Sequence, residues 1–223
     1  MPVEALIFDL DGTLVDTAPD LMAATNHALA LAGRAAISAV QLRSFVGHGA
    51  GMLIRRGLDA TGGAVSEDEF KQLHHAFLEY YGANIARESL VFPGVLALLE
   101  RARSQGLKLG VCTNKVEGLS NKLLLEIGLA PYFDAVVGGD TLPVLKPDPA
   151  PYFEVARRLG VAGARTIFFG DSETDIRTAQ AAKVPVIAVS FGYTPAHVST
   201  YAPDHVIDHY DDAWALVETY ARA

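Results

Sequence analysis

The sequence predicts an α/β fold in which a parallel sheet core carries an inserted α-helical cap. Short apolar runs alternate with helix-like patterns along most of the chain. The alternation is interrupted once, between about residues 14 and 92, where the patterns are helical only. Polar residues follow several of the apolar runs, at the points where strands would end. Alternating strands and helices are typical of a parallel sheet covered by helices.

The strands are predicted from continuous apolar runs, which suit strands that are buried on both faces. These runs are residues 5–8, 107–111, 135–137, 166–169 and 184–189, with an edge strand within 205–209. Helical patterns lie between them at 95–103, 118–127, 152–159 and 174–182, and a last helix contains Trp214. Gly106, Gly128 and Gly160 follow three of these helices, as is common at helix C-termini.

The segment that interrupts the alternation predicts a second, smaller unit. Its patterns indicate helices at 19–32, 38–45 and 50–61. A fourth helix is predicted to begin after Ser66, because Ser66 and Glu69 have the spacing of a capping box. We therefore predict a core domain of residues 1–15 and 90–223 and a helical cap domain of residues 16–89. Segments near 14–17 and 87–92 are the expected hinges.

Composition excludes several classes of protein. Half of the 223 residues are hydrophobic and one-fifth are charged, which is typical of a globular domain. The formal net charge of -8 disfavours a nucleic-acid partner. The single cysteine, Cys112, excludes an intrachain disulfide. The N-terminus lacks the pattern of a signal peptide, and no apolar run is long enough to span a bilayer. We expect a cytoplasmic protein, monomeric or homodimeric, with no membrane partner.

Candidate functional residues follow the predicted strands. Ligands of an open parallel sheet bind beyond the carboxyl ends of its strands, so these residues are expected at one rim. They are Asp9, Asp11 and Gly12 after the first strand, Thr113 and Asn114 after the second, Lys146 in a proline-flanked loop, and Asp171 and Asp175 after residue 169. Any one of these aspartates alone is more often a cap or turn residue, but capping does not explain the two pairs together.

The chemistry of phosphoryl transfer gives these residue types distinct roles. Asp9 and Asp171 are hard oxygen ligands that suit Mg²⁺, and Asp9 can attack phosphorus as a nucleophile. Asp11 can protonate the departing oxygen and later take a proton from the attacking water. Gly12 lets the backbone approach a phosphate closely. Thr113, Asn114 and Lys146 can then hold the phosphate oxygens, with Lys146 as a point charge.

Four motifs in this order resemble the haloacid dehalogenase superfamily. They are Asp-Leu-Asp-Gly-Thr from Asp9, Thr-Asn from Thr113, Lys-Pro-Asp-Pro from Lys146 and Gly-Asp-x-x-x-Asp from Gly170. The resemblance covers nearly the whole chain and implies a Rossmann-like core with Asp9 as nucleophile and Asp11 as acid and base. It also implies that the Asp11 backbone carbonyl joins Asp9 and Asp171 on Mg²⁺. Asp175 would support that metal site through water or Lys146.

Within the superfamily the chain is most similar to bacterial phosphoglycolate phosphatases. The additional cues are Arg43-Ser-Phe-Val-Gly-His-Gly-Ala in the cap and Phe191-Gly-Tyr-Thr after the fourth motif. The resemblance implies a small phosphorylated metabolite as substrate, with 2-phosphoglycolate as the expected one. Arg43 and His48 are the cap residues expected to contact it, and Arg43 is a candidate partner for a substrate carboxylate.

Other functions remain open on the sequence. Phosphatases that act on sugar phosphates or pyrophosphate share much of the same motif pattern. A phosphomutase of the same fold would use the same nucleophile but return the phosphate to the sugar. A non-catalytic binding protein is disfavoured, because the nucleophile, the acid and the metal ligands are all present.

Overall fold

Six parallel strands form one sheet in the computed structural model, which describes residues 3–222. They are β1 (Ala5–Phe8), β4 (Lys108–Cys112), β5 (Ala135–Val137), β6 (Thr166–Gly170), β7 (Val186–Val189) and β8 (His205–Ile207). Their order across the sheet is β5-β4-β1-β6-β7-β8, so β1 lies at the centre and pairs with β4 and β6. The predicted parallel α/β sheet is confirmed.

Strand β1 shows why the sheet strands are continuous apolar runs. Leu6 and Phe8 pack into one hydrophobic cluster, and Ala5 and Ile7 pack into a second cluster on the other face. Because successive side chains of a strand point to opposite faces, a strand covered on both sides needs an apolar residue at every position. Strand β7 begins two residues later than predicted, since Pro185 has no N–H to donate to the ladder.

The helices are α1 (Ala18–Leu31), α2 (Ala39–Phe45), α3 (Gly49–Thr61), α4 (Glu67–Ala83), α5 (Val95–Ser104), α6 (Glu117–Glu126), α7 (Ala150–Leu159), α8 (Glu173–Ala182) and α9 (Ala213–Arg222). Val95, Leu123 and Val217 bring α5, α6 and α9 into the first cluster. Tyr152 and Ile176 bring α7 and α8 into the second. Helices therefore cover both faces of the sheet.

Along the chain, helices α1 to α4 follow one another between β1 and the later strands of the sheet, as the sequence predicts for an inserted cap. The start of α4 follows the expected capping chemistry, because the Ser66 hydroxyl accepts a hydrogen bond of 3.3 Å from the Glu69 backbone N–H. Leu53, Phe77 and Tyr81 are buried side chains on the inner faces of α3 and α4. The residue limits of the cap domain, 16–89, stay a prediction.

The two segments predicted as hinges pair with each other. Strand β2 (Val15–Asp16) runs antiparallel to β3 (Leu90–Val91) where the chain leaves the core and returns to it. Beside this pair, the buried carboxylate of Asp20 accepts hydrogen bonds from the backbone N–H groups of Glu88 and Ser89 and from the Ser89 hydroxyl. These bonds hold the outgoing and returning chain together, so the cap is attached through one narrow connection.

Between residues 3 and 222, the structure contains no helix with the length and apolar character that crossing a membrane would require.

Candidate active site

The residues singled out in the sequence gather at the carboxyl edge of the three central strands. Asp9 follows β1, Thr113 follows β4 and Asp171 follows β6, and these strands are neighbours in the sheet. Lys146 comes from the loop before α7 and is 3% exposed, although a lysine outside such a setting is normally solvated. The parallel arrangement brings residues that are more than 100 positions apart into one site.

Three carboxylates and one ammonium form the buried centre of this site. Oxygens of Asp9, Asp171 and Asp175 lie within 4.8 Å of one another. The Lys146 Nζ lies 3.0 Å from Asp9 Oδ1 and 2.6 Å from Asp175 Oδ1. Three negative groups thus face one positive group, and the excess charge is enclosed by protein.

Both carboxylate oxygens of Asp175 already accept hydrogen bonds from other groups of the protein. Its Oδ1 accepts from Lys146, and its Oδ2 accepts from the backbone N–H groups of Asp171 and Ser172 and from the Ser172 hydroxyl. The side chain is fully buried at the start of α8, where a carboxylate is favoured by the helix dipole. Lys146 contacts Asp175 at 2.6 Å. Support of a metal site by Asp175, through water or Lys146, stays a prediction.

Burial and mutual repulsion make the charged forms of Asp9 and Asp171 costly. Burial raises the pKa of Asp9 to about 6; Lys146 opposes the rise, and Asp175 and Asp11 add to it. Burial, then the charges of Asp175 and Asp9, raises the pKa of Asp171 well above its usual range. Asp171 is held in place by the Thr13 hydroxyl at 3.0 Å and the Tyr193 backbone N–H at 2.7 Å.

Two glycines allow the carboxylates to pack this closely. Gly12 has a φ of 83°, and a Cβ built on it would lie 2.5 Å from Asp171 Oδ2. A Cβ on Gly170 would lie 2.2 Å from the Asp175 Cβ. A side chain at either position would push the acidic centre apart. Contact of the Gly12 backbone with phosphate stays a prediction.

The residues present fit a divalent cation. Asp9 Oδ1 is buried and accepts no hydrogen bond, because Lys146 lies beside it without hydrogen-bond alignment. With its three carboxylates ionised, the centre has an excess of two negative charges, the amount that a divalent ion cancels. Hard carboxylate oxygens suit Mg²⁺. A metal here would be held by Asp9 and Asp171, and the Asp11 carbonyl stays a predicted ligand.

We expect Mg²⁺ to raise the melting temperature at pH 7.5. An ion at 100 times its dissociation constant stabilises the folded state by about 2.7 kcal/mol, which corresponds to roughly 5–10 °C. The rise should be smaller at pH 5, because the metal must then displace protons from Asp9 and Asp171. Differential scanning fluorimetry with Mg²⁺ or EDTA measures both shifts.

The metal-free protein gives the sign of the pH effect. The folded state binds the Asp9 proton more tightly than the unfolded chain does, so this group's contribution to stability falls as pH rises from about 4 through 6.

Two variants test the metal site in the melting experiment. Asp171→Asn should remove most of the rise in melting temperature with Mg²⁺, and Asp59→Asn, on the exposed side of α3, should keep it. An equal shift in both variants would contradict a metal site at Asp171.

Asp11 lies in a second network that includes the cap. Its carboxylate accepts from the Thr17 hydroxyl at 2.7 Å and from Lys115 Nζ at 3.0 and 3.2 Å. Lys115 Nζ also donates to the hydroxyl of Tyr81, on cap helix α4, at 2.6 Å. The side chain of Lys115 is 6% exposed, so its charge is compensated almost entirely within the site. Neither Lys115 nor Tyr81 is among the site residues predicted from the sequence.

The Thr-Asn motif positions other parts of the site. The Asn114 side chain donates to the carbonyl oxygens of Lys146 and of Gly47 in the cap, at 3.1 and 3.0 Å, and accepts from the Lys146 backbone N–H at 2.9 Å. Asn114 therefore ties the lysine loop to a cap loop. Thr113 is buried and its hydroxyl accepts from the Lys115 backbone N–H. Phosphate binding by Thr113, Asn114 and Lys146 stays a prediction.

The two cap residues proposed to contact substrate lie beside the hinge and beside an outer cavity that Asp171 of the acidic centre also lines. Arg43 donates to the Asp16 carboxylate at 2.9 Å and stacks over the Tyr193 ring at 4.9 Å, beside the hinge. His48 lines an outer cavity of about 260 Å³ together with Arg56 and Glu173. Burial, then the charge of Arg56, lowers the pKa of His48. Substrate contact by Arg43 or His48 stays a prediction.

An inner cavity of about 50 Å³ lies between the cap and the core. Asp9, Asp11 and Lys115 line it from the core, and Leu53 and Phe77 are among the cap residues that line it. Typical ligand pockets measure ~300–1,000 Å³, so the inner cavity is small. Cap and core are joined beside it by the bonds from Asn114 to Gly47 and from Lys115 to Tyr81, so the cap is closed here. Asp11 lines both the inner and the outer cavity.

Comparison with known proteins adds to this geometry. Residues 6–189 match the family described as haloacid dehalogenase-like hydrolase. The chain belongs to this family. The expected superfamily membership is therefore confirmed, and the fold agrees with it. Individual proteins similar to this chain are named as phosphatases.

The similarity to these relatives extends over nearly the full chains. A protein named phosphoglycolate phosphatase from Mesorhizobium japonicum is 43% identical over 206 residues, which cover 92% of this chain and 91% of that protein. One of the same name from Caulobacter vibrioides is 42% identical over 207 residues, covering 93% and 87%. A crystal structure from Haemophilus somnus, described as a predicted phosphoglycolate phosphatase, has a TM-score of 0.92 at 32% identity, covering 96% and 97%.

These findings identify the chain as a phosphoric monoester hydrolase of the haloacid dehalogenase-like family, as expected from the sequence. The comparisons do not assign roles to individual residues, and those roles are argued from the geometry of the site. Lys115 directly follows the Thr-Asn motif, and its place one residue beyond a rim position is the signal in the sequence that could have pointed to it. Tyr81 carries no such signal, because an aromatic residue on the inner face of α4 is expected in any helical core.

Proposed function

We propose that this protein is an Mg²⁺-dependent phosphatase that hydrolyses 2-phosphoglycolate to glycolate and phosphate through an aspartyl-phosphate on Asp9. The observation that carries the proposal is the buried centre of Asp9, Asp171 and Asp175, in which Lys146 contacts Asp9 and Asp175. Such a centre would hold a divalent cation and, with that cation, attract a phosphate dianion. Asp11 lies two residues after the nucleophile, on the wall of the same cavity.

Asp9 acts as the nucleophile in the first step. One of its carboxylate oxygens attacks phosphorus, and a bond from Asp9 to phosphorus forms while the bond from phosphorus to the ester oxygen breaks. Lys146 keeps Asp9 in place and supplies positive charge to the phosphoryl oxygens. Asp9 and Asp171 would hold an Mg²⁺ ion, which would supply further charge neutralisation. The backbone at Gly12, the residue Thr113 and the backbone of Asn114 complete the phosphate-binding set, because the Asn114 side-chain amide already donates to the carbonyl oxygens of Gly47 and Lys146.

Asp11 acts as the general acid when the aspartyl-phosphate forms and as the general base when water hydrolyses it. In the first step it gives a proton to the departing ester oxygen, so that the alcohol leaves neutral. In the second step it takes a proton from the water that attacks phosphorus, the Asp9–phosphorus bond breaks, and Asp9 and phosphate are regenerated. Thr17 holds the Asp11 carboxylate at 2.7 Å in the closed arrangement. Cap closure excludes water while the ester bond breaks, and the hinge beside Asp20 allows reopening.

The substrate assignment is supported by the relatives and by the size of the cavity. Proteins 43% and 42% identical over nearly the whole chain are named phosphoglycolate phosphatase. The inner cavity of about 50 Å³ favours a short leaving group. His48 and Arg43 belong to the cap surface that a substrate passes as the cap opens and closes.

Phosphate release from a panel of phosphoesters tests the proposal. The panel contains 2-phosphoglycolate, hexose phosphates, nucleotides and pyrophosphate, each with Mg²⁺ and with EDTA. We expect Mg²⁺-dependent turnover with 2-phosphoglycolate far ahead of the others. Preference for a sugar phosphate or pyrophosphate would retain the phosphatase chemistry and remove the substrate. Conversion of a hexose 1-phosphate to the 6-phosphate without free phosphate would indicate a phosphomutase instead.

A further inference from the structure

Lys115 is a buried cation that faces the inner cavity and pairs with Asp11, outside the acidic centre. It lies 3.0 Å from Asp11 Oδ1, while the acidic centre has its own cation in Lys146. Among the residues that line the inner cavity, Lys115 is the one with a positive charge. The acid that must protonate the leaving group is thus paired with a lysine before any substrate is bound.

The rest of the cavity offers a leaving group little hydrogen bonding. Its cap side is formed by apolar side chains, which include Leu21, Val46 and Leu53, and by Tyr81. Sugar hydroxyls placed against these apolar side chains would lose water without gaining partners, at a cost of about 1–3 kcal/mol each. A carboxylate, in contrast, finds the Lys115 ammonium. Burial, then the charge of Asp11, raises the pKa of Tyr81 well above its usual range, so its hydroxyl keeps its proton and can donate to an anion.

We infer that Lys115, assisted by the Tyr81 hydroxyl, binds the carboxylate of a short phosphorylated carboxylic acid. The inference rests on the proposed phosphatase function and names the substrate class of that site. In the closed site without substrate, Lys115 pairs with Asp11; with substrate, the carboxylate takes this place and Asp11 turns to the ester oxygen. Tyr81 belongs to α4, so the substrate carboxylate also becomes a bridge between the core and the closed cap.

The test compares two substrates that differ in the carboxylate. Ethyl phosphate has nearly the shape of 2-phosphoglycolate and carries a methyl group in place of the carboxylate. For the wild-type protein we expect kcat/KM to be at least tenfold higher for 2-phosphoglycolate. Lys115→Met should lower kcat/KM for 2-phosphoglycolate by about 100-fold or more, because a desolvated charge pair is lost. For ethyl phosphate the loss should be roughly tenfold or less.

Two further variants keep the test decisive. Tyr81→Phe retains the ring and removes one hydroxyl, so it should fold, and it should raise KM for 2-phosphoglycolate several-fold with little change for ethyl phosphate. Lys122→Met, at a half-exposed position of α6, should change neither substrate. Both variants distinguish a specific role in binding from a general loss of charge or packing.

The outcomes separate this inference from the proposed function. Equal losses for the two substrates in Lys115→Met, with Tyr81→Phe unchanged, would overturn the carboxylate role and leave Lys115 as a residue that only positions Asp11. A selective loss in Arg43→Ala instead would assign the carboxylate to Arg43 and also overturn the inference. No phosphate release from either substrate by the wild-type protein would overturn the proposed function, and this inference with it.

Discussion

Asp9→Asn is expected to abolish phosphate release while leaving the fold intact. An amide cannot form the aspartyl-phosphate, and loss of a nucleophile typically costs on the order of 10⁴–10⁶-fold in kcat. The folded state should not be destabilised near pH 7.5, because the substitution removes one of three buried negative groups and keeps the 2.6 Å pair between Lys146 and Asp175. Activity should therefore be lost while stability is kept or raised.

The measurement combines Mg²⁺-dependent phosphate release with thermal unfolding in EDTA. Asp59→Asn makes the same chemical change on an exposed face of α3 and should leave turnover unchanged. Acid-quenched mass spectrometry of the wild-type protein with substrate should detect phosphorylation at Asp9. Turnover by Asp9→Asn within tenfold of the wild type would sink the covalent mechanism, even if the protein remained a phosphatase.

Lys146→Met is expected to lower both activity and stability. Lys146 is the ammonium that contacts Asp9 and Asp175, and it is 3% exposed. Removing one partner of a buried ion pair typically costs 3–5 kcal/mol, so the free energy of unfolding should fall by about that amount in EDTA. Phosphate release should fall by on the order of 10³-fold, because the phosphoryl oxygens lose a preorganised positive charge.

The stability loss should depend on pH in a specific direction. Burial lowers the pKa of Lys146, but the charges of Asp175 and Asp9 outweigh it and leave the pKa raised, so the stabilising charge is present throughout the range below its usual pKa. At pH 8 the variant must bury carboxylates without a cation, whereas at pH 5 Asp9 can take a proton instead. Urea unfolding at the two pH values should therefore show the larger loss at pH 8.

Two controls accompany this variant. Mg²⁺ should restore part of the lost stability at pH 8, because the ion replaces positive charge beside Asp9 and Asp171. Lys122→Met should change the free energy of unfolding by less than about 0.5 kcal/mol, as is usual for surface positions. A loss in Lys146→Met that is equal at pH 5 and pH 8 would indicate a packing defect rather than an electrostatic one.

Individual residues of the candidate site could be predicted from the sequence, because each of them follows a recognisable strand. Asp9, Thr113 and Asp171 each come directly after a continuous apolar run, and in a parallel sheet the carboxyl ends of all strands lie at one rim. That the residues would gather was therefore predictable without knowing which strands are neighbours. The burial of Lys146 and the approach of three carboxylates to within 4.8 Å of one another depend on packing and were not predictable in this way.

Lys115 and Asp20 show where local patterns are insufficient. A lysine just beyond a strand is usually solvated, and an aspartate in the first turn of a helix is usually there for the helix dipole. In the folded protein, Lys115 is paired with Asp11 and Asp20 binds the returning chain at Ser89. Both partners come from distant parts of the chain, so neither interaction has a local signature.

The sequence by itself determined the class of the fold, most element boundaries within two residues, the helical insertion and the rim residues. These properties depend on the period of apolar residues and on capping and turn chemistry, which act over a few neighbouring positions. Only the tertiary structure decided the strand order β5-β4-β1-β6-β7-β8, the closed cap and the contact of Tyr81 with Lys115. These depend on which surfaces bury one another across the folded chain, and a one-dimensional pattern does not record such pairings.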